Sequence, residues 1–263
     1  MKPDYQNWMP KYMVVLLYLG SGIVLAGAVV SLIFALIVSP YAYIPFGVCL
    51  VGGAFLLYMA VLFHKMRNVF DYDGEYHLMK TVAEGTVSYV KLSEGEKGLD
   101  VGCGSGALAI ALAKQNPGAR ITGVDRWGKE YATFSKKRCE DNARLEGVTN
   151  TTFVKGDALN LPFEDESFDG IVSNYVYHNI PSSDRQSILL ETLRTLKKGG
   201  RFAIHDIFSY SKYGDMEKFV KKLKDMGYQE VELIDTTDGV FFKDKKEAKK
   251  LMLQSSMLLR GVK

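Results

Sequence analysis

The chain has 263 residues, of which 33 are Lys or Arg and 30 are Asp or Glu, and 47% of its residues are hydrophobic. These averages conceal a division, because no Asp, Glu, Lys, Arg or His occurs from Tyr12 to Phe63, a stretch of 52 residues. Only Lys2, Asp4 and Lys11 carry charge before it. The distribution excludes one uniformly soluble domain and indicates a membrane segment joined to a charged globular part.

The globular part, from His64 to Lys263, is nearly neutral. It holds 31 Lys and Arg against 29 Asp and Glu, a net charge of +2, which excludes a strongly basic surface for nucleic acid. Its 200 residues suffice for one sizeable core. Cys49, Cys103 and Cys139 are odd in number and lack metal-ligand spacing. They predict a reducing compartment, with neither a disulfide framework nor a bound metal.

The apolar block predicts two transmembrane helices, since one span needs about 20 apolar residues. It divides at 39–45, where Pro40 and Pro45 interrupt a helix, into Tyr12–Val38 and a second span at 46–63. Basic residues flank the pair at both ends, and the connecting loop has no charge. The positive-inside rule therefore predicts a multi-pass protein of the cell membrane whose N-terminus (residues 1–11) and globular domain are cytoplasmic.

Residue types within the block support a helical hairpin. Small residues recur along both spans and predict close helix packing; they are Gly20, Gly27, Ser31, Ala35, Gly52, Gly53 and Ala54. Aromatic residues near the span ends are candidate interfacial anchors, namely Trp8, Tyr12, Tyr18, Tyr41 and Tyr43. Two alternatives remain: a cleaved signal peptide, for which Ala26-Gly27-Ala28 resembles a cleavage site, and the buried hairpin of a soluble protein.

Beyond the block, residues 64–96 predict a linker helix. Its Tyr72, Tyr76 and His77 could fold over a ligand as a lid or lie on the membrane surface. From Lys97 to the end, short β-branched runs alternate with amphipathic stretches, which predicts βαβ units in a parallel sheet with helices on both faces. We expect strands at 98–101, 120–125, 151–154, 168–173 and 201–205.

The C-terminal part of the globular domain predicts a different arrangement. A helix at 215–226 is followed by a strand at 230–234, a basic helical stretch at 245–253 and a last strand near 256–261. Consecutive strands with only a short helix between them favour an antiparallel edge to the sheet.

The first predicted strand enters a glycine-rich turn, Asp100-Val101-Gly102-Cys103-Gly104-Ser105-Gly106. Its glycines permit a tight turn at a helix N-terminus, with backbone amides facing a ligand. Asp100 discriminates between two cofactors, because its carboxylate would repel the pyrophosphate of a dinucleotide. S-adenosylmethionine has no phosphate, and both its ammonium and its sulfonium are cationic. The turn therefore favours S-adenosylmethionine.

Two further carboxylates follow successive strands. Asp125 ends the second strand and can accept hydrogen bonds from both ribose hydroxyls, whereas Asp157 follows the third strand and can accept from the adenine amino group. Trp127 either covers the adenine or packs as a helix-start core residue. Each Asp alone could equally cap a helix or a turn. The complete predicted cofactor set is Asp100, Gly102, Cys103, Gly104, Gly106, Asp125, Arg126, Trp127, Asp157, Ala158 and Asn174.

Three more runs, 161–169, 176–180 and 193–200, accompany this constellation. Together they resemble a class I S-adenosylmethionine-dependent methyltransferase, in the subgroup that includes quinone-biosynthesis and small-molecule enzymes. The resemblance implies a Rossmann-like, doubly wound α/β fold with a seven-stranded, mostly parallel sheet and one antiparallel strand over 97–263. It also implies the methionyl part at the glycine turn, the ribose at Asp125, and the adenine at Asp157 and Ala158.

The methyl acceptor is expected above the carboxyl ends of the strands, beside the sulfonium. Asn174, Tyr175 and His178 follow the fourth strand and are the predicted catalytic residues; His178 could deprotonate an acceptor or merely cap the next helix. Tyr175 and Tyr177 form an aromatic wall or pack beneath the sheet edge. A second wall is predicted after the fifth strand, from His205, Asp206, Phe208, Tyr210 and Tyr213.

These features favour a membrane-anchored methyltransferase that acts on a small apolar or membrane-partitioned acceptor by in-line displacement. One alternative is a membrane-anchored NAD(P)-dependent oxidoreductase, which Asp100 disfavours. Another is a non-catalytic sensor or assembly module that binds S-adenosylmethionine. Nucleic acid is not an expected partner, because the sequence after the fourth strand lacks the Pro-Pro-aromatic element of amino-methylating DNA enzymes.

Overall fold

The computed structural model describes residues 2–7, 9–128 and 133–263, so the predicted anchor Trp8 lies outside the described residues. The chain divides into two compact units. One is Asn7–His77, which we call the hairpin unit. The other, the sheet unit, combines Leu78–Lys263 with the N-terminal residues up to Gln6.

The hairpin unit consists of α1 (Lys11–Ile37) and α2 (Tyr43–Val69), joined by a 3₁₀ turn at Pro40–Ala42. Both helices have the length and composition of membrane-spanning segments. The helical break is shorter than predicted, because Pro45 lies in the first turn of α2, where a missing N–H removes no helical hydrogen bond. The second helix also extends six residues beyond the predicted span, to Val69.

Small residues bring α1 and α2 together in antiparallel order. Ser21 Oγ donates to the Gly53 carbonyl over 2.9 Å, and a Cβ on Gly27 would lie 3.8 Å from Cys49 Sγ. A Cβ on Gly53 would approach Leu25 Cγ to 2.6 Å, so only glycine permits this backbone approach. The predicted packing through Gly27 and Gly53 is confirmed.

In the described part of the chain, the sheet unit is built on one seven-stranded sheet of order β3-β2-β1-β4-β5-β7-β6. The pairs among β1 to β5 are parallel, and β7 is antiparallel to both its neighbours. The fold class is confirmed, and so is the antiparallel edge, because the edge strand β6 pairs antiparallel with β7. The strands are β1 (Lys97–Val101), β2 (Arg120–Asp125), β3 (Thr151–Lys155), β4 (Phe168–Asn174), β5 (Leu196–Ile207), β6 (Gln229–Asp235) and β7 (Ser256–Val262).

Side-chain caps fix where several helices of the sheet unit begin. Ser135, Asp184, Asp215 and Asp244 each accept a hydrogen bond from the backbone amide three residues later, which satisfies a donor without a helical partner. The helices are α3 (Leu78–Val87), α4 (Ala107–Gln115), α5 (Lys136–Leu145), α6 (Arg185–Arg194), α7 (Tyr210–Tyr213), α8 (Met216–Asp225) and α9 (Lys245–Lys250).

The α3 helix is a layer of the fold rather than part of a lid. Leu78, Val82 and Val87 are buried, and the helix packs against α4 and the sheet. Gln115 Nε2 donates to the carbonyls of Val87 and Val90 over 2.9 and 3.0 Å. The predicted linker at 64–96 therefore includes a helix, at 78–87, that packs within the sheet unit. The proposed lid residues Tyr72, Tyr76 and His77 belong to the hairpin unit, and their role stays a prediction.

Candidate active site

The turn between β1 and α4 adopts a conformation that only glycine accepts readily. Gly102, Gly104 and Gly106 have φ angles of +74°, +55° and +87°, in the left-handed region. A Cβ on Gly102 would lie 2.3 Å from the side chain of Val176, which follows β4. The turn therefore holds the cofactor-binding end of β1 directly against the residues expected to meet the acceptor.

The amides of this turn are largely bound within the protein, contrary to expectation. Gly102 and Cys103 both donate their amides to the Val124 carbonyl, over 2.8 and 3.1 Å. The Gly104 amide donates to Asp125 Oδ2 over 2.9 Å. These three bonds to Val124 and Asp125 show that the end of β2 holds the turn in its conformation.

Asp100, on β1, is an acidic residue buried in the sheet unit. It is 1% exposed, and neither carboxylate oxygen has a hydrogen-bond partner among the described residues. Burial raises its pKa to about 8. The Ala109 backbone amide, which is near the carboxyl group without meeting hydrogen-bond geometry, lowers this pKa, and nearby Asp125 raises it. A buried carboxylate without partners is costly, so the position fits a cationic ligand. Asp100 therefore fits the predicted ammonium and sulfonium of S-adenosylmethionine.

Asp125 and Trp127 complete the same end of the sheet. The Trp127 amide donates to Asp125 Oδ1 over 2.6 Å, and its indole Nε1 donates to the Gly104 carbonyl over 2.9 Å. The Trp127 backbone has a φ of +45°, rare for a bulky residue. The indole is therefore held beside the glycine turn, and its role toward the cofactor stays a prediction. Arg126 beside it is exposed.

The other predicted cofactor residues occupy different environments. Asp157 is partly exposed, and its Oδ1 accepts from the Leu159 amide over 3.0 Å, while the neighbouring Ala158 is half-buried. Cys103 is buried, and burial together with Cys139 raises the pKa of its thiol. Cys103 therefore shapes the turn through its backbone and does not offer a thiolate to a ligand.

Asn142 supports the glycine turn, although no sequence motif marks it. Its Nδ2 donates to the carbonyls of Ser105 and Asp4, over 3.0 and 3.1 Å, and its Oδ1 accepts from the Asp4 amide over 2.8 Å. Asp4 also pairs with Arg138 at 2.7 Å, and the Tyr5 hydroxyl donates to Glu146 over 2.9 Å. The N-terminal residues thus bind α5, the helix that holds the turn.

On the acceptor side, Tyr175 and Tyr177 have separate roles. Tyr175 follows β4 with a φ of +54°, and its hydroxyl lies 2.9 Å from Ser256 Oγ. Tyr177 is fully buried and pairs with Thr192 Oγ1 at 2.9 Å. Of the two alternatives for this pair, core packing is right for Tyr177, and only Tyr175 remains for an aromatic wall.

The second aromatic wall predicted after β5 is wrong. His205 is fully buried, with Nδ1 2.9 Å from Asn174 Oδ1 and Nε2 2.9 Å from Thr236 Oγ1, and burial lowers its pKa to about 3. Phe208 and Tyr213 are also buried and pack edge to face, with ring centroids 4.8 Å apart. The Tyr210 side chain is 78% exposed. Strand β5 continues to Ile207 and carries His205 and Asp206 into the core.

Asp206 meets His178 at the carboxyl end of β5. Asp206 is fully buried, and its Oδ1 lies 2.5 Å from His178 Nδ1. Its Oδ2 accepts from the amides of Tyr177 and His178, over 2.8 and 3.3 Å. Burial alone would raise the pKa of Asp206, but these hydrogen bonds hold it below the usual value. The sequence pattern predicts Asp206 as part of a second wall and does not indicate its pairing with His178.

A family model described as a methyltransferase domain matches residues 92–253. The chain belongs to this methyltransferase family. It is 36% identical over 132 residues to a phthiotriol/phenolphthiotriol dimycocerosates methyltransferase of Mycobacterium leprae (strain TN), covering 50% of this chain and 45% of that protein. It is 32% identical over 140 residues to a demethylmenaquinone methyltransferase of Staphylococcus aureus (strain JH9), covering 52% of each. The chain spans about half the length of these curated relatives.

Solved structures share the fold. The geranyl diphosphate C-methyltransferase of Streptomyces coelicolor A3(2), solved with S-adenosyl-L-homocysteine, superposes with a TM-score of 0.53 at 15% identity, covering 72% of this chain and 78% of that one. A [4+2]-cyclase, SpnF, has a TM-score of 0.55 at 19% identity, with 73% and 85% covered. The match to a methyltransferase domain supports S-adenosylmethionine as the methyl donor and disfavours the dinucleotide alternative. Among the described residues, no cluster suited to a metal ion occurs.

Proposed function

We propose that this protein is a membrane-anchored methyltransferase that transfers the methyl group of S-adenosylmethionine to an apolar, membrane-partitioned acceptor. The observation that carries the cofactor part is Asp100, a buried carboxylate without a partner among the described residues, at the glycine turn of a methyltransferase domain. A carboxylate there binds a cation and rejects a pyrophosphate.

In this proposal, different residues of the chain bind different parts of S-adenosylmethionine. Asp100 binds the methionyl ammonium, Asp125 accepts from the ribose hydroxyls, and Asp157 with Ala158 holds the adenine. S-adenosylmethionine supplies an electrophilic methyl group on a sulfonium. Displacement at that carbon chiefly demands alignment and exclusion of water, which the preformed turn and the residues after β4 provide.

The hairpin unit supports an acceptor dissolved in the membrane. In the most apolar 18-residue windows of its two helices, only 17% and 11% of the residues are buried, whereas a core helix of a soluble protein would be mostly buried. An uncleaved hairpin of this kind would keep the enzyme at the lipid surface. Both curated relatives are named for large apolar acceptors, a dimycocerosate lipid and a menaquinone precursor.

Charge placement supports a cytoplasmic catalytic domain. Lys2 and Lys11 precede the first helix, Lys65 and Arg67 lie near the end of the second, and the turn between the helices has no charge. By the positive-inside rule both ends of the hairpin face the cytosol. Labelling of single cysteines by a membrane-impermeant maleimide in sealed inverted vesicles tests this; labelling at residue 41 rather than at residue 2 would reverse the orientation.

The decisive test uses the full chain in lipid nanodiscs. We expect calorimetry to show one S-adenosylmethionine site, lost or severely weakened in Asp125→Ala. Asp169→Asn is the matched control, because Asp169 accepts from the Lys97 amide at the opposite end of β4. Incubation with methyl-labelled cofactor and a membrane lipid extract should then yield a labelled apolar product. Binding without any transfer would instead favour the sensor alternative, and absence of binding would refute the proposal.

A further inference from the structure

We propose that Asp206 is a positioning residue for His178, and that the pair selects acceptors whose methylated group carries an ionisable hydroxyl. This inference rests on the proposed function, because it names the acceptor class of the same site. It goes beyond that function because it specifies that the acceptor loses a proton when it is methylated.

The hydrogen bonds to Asp206 determine which nitrogen of the His178 ring carries a hydrogen. Asp206 receives four hydrogen bonds, two on each oxygen: His178 Nδ1 and the Ile207 amide on Oδ1, and the amides of Tyr177 and His178 on Oδ2. A carboxyl group with donors on both oxygens is held as the carboxylate. His178 Nδ1 therefore donates to Asp206, and Nε2 is the ring nitrogen whose lone pair can accept a proton.

The Nε2 edge of the His178 ring is accessible to an acceptor. The His178 side chain is 12% exposed while that of Asp206 has no exposure, so the accessible ring edge lies away from the carboxylate. Among the described residues, Nε2 has no hydrogen-bond partner. The ring meets Tyr175 edge to face, with centroids 6.1 Å apart. Val176, between these residues in sequence, packs on Gly102 of the cofactor turn.

The other ionisable side chains around Asp206 and His178 are phenols and cations, which do not act as the base. Tyr213 faces Asp206 from α7, and burial and that carboxylate raise the pKa of its hydroxyl. Burial likewise raises the pKa of Tyr175, so both phenols stay neutral. Lys212 Nζ donates to the His178 carbonyl over 2.9 Å, and Arg185 Nε donates to the Tyr177 carbonyl over 3.2 Å. Both cations thus hold the turn backbone.

The reaction must also balance in atoms and charge. When a hydroxyl oxygen, or a carbon conjugated to it, forms the new bond to the methyl carbon, the carbon–sulfur bond breaks and a neutral thioether leaves. The acceptor's hydrogen passes to His178 Nε2 as a proton, and Asp206 stabilises the resulting imidazolium. A tertiary amine or a thioether has no hydrogen to lose and would leave as a permanent cation. A thiol, with a pKa of about 8.5, ionises partly without a base.

The experiment therefore measures the product's charge and the proton balance. The full chain in nanodiscs is given methyl-labelled cofactor with 4-dodecylphenol or N,N-dimethyldodecylamine, and separately with the membrane lipid extract. We expect methylation of the phenol but not of the amine, release of one proton per methyl group, and a labelled extract product that cation exchange does not retain. A cationic labelled product would overturn the inference while leaving the proposed function standing; no transfer to any phenol or extract component would count against both.

Variants separate positioning from mere structure. In Asp206→Asn we expect kcat with 4-dodecylphenol to fall about 10²- to 10⁴-fold, with an unchanged dissociation constant for S-adenosylmethionine. The acid limb of the pH profile should also move to lower pH, because the imidazolium loses its carboxylate. His178→Gln should lose both the rate and the acid limb, which keeps the test valid if Asp206→Asn folds poorly. Asp169→Asn is the control. An Asp206→Asn enzyme with an unshifted pH profile would refute the positioning role.

Discussion

The carboxylate of Asp100 makes cofactor binding a proton-linked event. At pH 7 a buried group whose pKa is about 8 is roughly nine-tenths protonated. A cationic ammonium beside it favours the ionised form. Binding of S-adenosylmethionine should therefore release close to one proton from Asp100, and Asp100→Asn, which keeps the shape but cannot ionise, should release none.

The size of the effect follows from the pKa. Ionising Asp100 at pH 7 costs about 1.4 kcal/mol, so the affinity for S-adenosylmethionine should rise about tenfold from pH 6 to pH 7. Folding raises the pKa of Asp100, so as the pH rises the carboxyl group ionises in the unfolded chain before it ionises in the folded protein. The free energy of unfolding of the cofactor-free protein therefore decreases between about pH 4 and about pH 8. The total loss attributable to Asp100 is about 6 kcal/mol at most.

Calorimetry in buffers of different ionisation enthalpy measures the proton release directly. For Asp100→Asn we expect pH-independent affinity between pH 6 and 7, binding weakened about 10- to 100-fold by loss of the charged partner, and a flatter dependence of unfolding free energy on pH. Asp169→Asn should behave as the unmodified protein does in the proton count. Equal proton release by the unmodified protein and by Asp100→Asn would refute the assignment of Asp100 to the cofactor's cation.

Two other changes test the glycine turn. Gly102→Ala should lower stability by about 1–3 kcal/mol and weaken cofactor binding, because its Cβ would clash with Val176; thermal unfolding with and without S-adenosylmethionine checks this, and Gly95→Ala, with similar φ but open space, should not change binding. Asn142→Ala should cost about 1–3 kcal/mol and speed amide hydrogen exchange in the turn; unchanged exchange would show that α5 does not support it.

The sheet could be predicted from the sequence because its central parallel strands, such as β1 and β4, are buried on both faces. Runs such as Arg120–Asp125 combine β-branched residues with turn signals at both ends, and the structure has that strand at the predicted bounds. The order of the last strands could not be predicted, because pairing between β5 and β7 depends on contacts distant in sequence. The local pattern of β6 and β7 is the same whichever of them lies at the edge.

The proximity of the predicted cofactor residues could be predicted from the sequence, because these residues lie at strand ends. Asp100, Asp125 and the glycines lie together at the predicted edge because parallel strands end on the same side. Asn142 and Asp206 were not assigned their roles from sequence, since each acts through a partner more than 25 residues away, Ser105 and His178. A side chain that supports another carries no local pattern of its own.

The hairpin is an insertion within the sequence of the sheet unit, not a separate N-terminal segment. The residues up to Gln6 belong to the same unit as Leu78–Lys263, and Asp4 binds Asn142, which in turn binds the carbonyl of Ser105 in the cofactor turn. Cutting the chain at residue 78 removes these contacts together with the hairpin. Loss of cofactor affinity in such a fragment would therefore report on the N-terminal residues as much as on the membrane, and the two are separated only by altering Asp4 within the full chain.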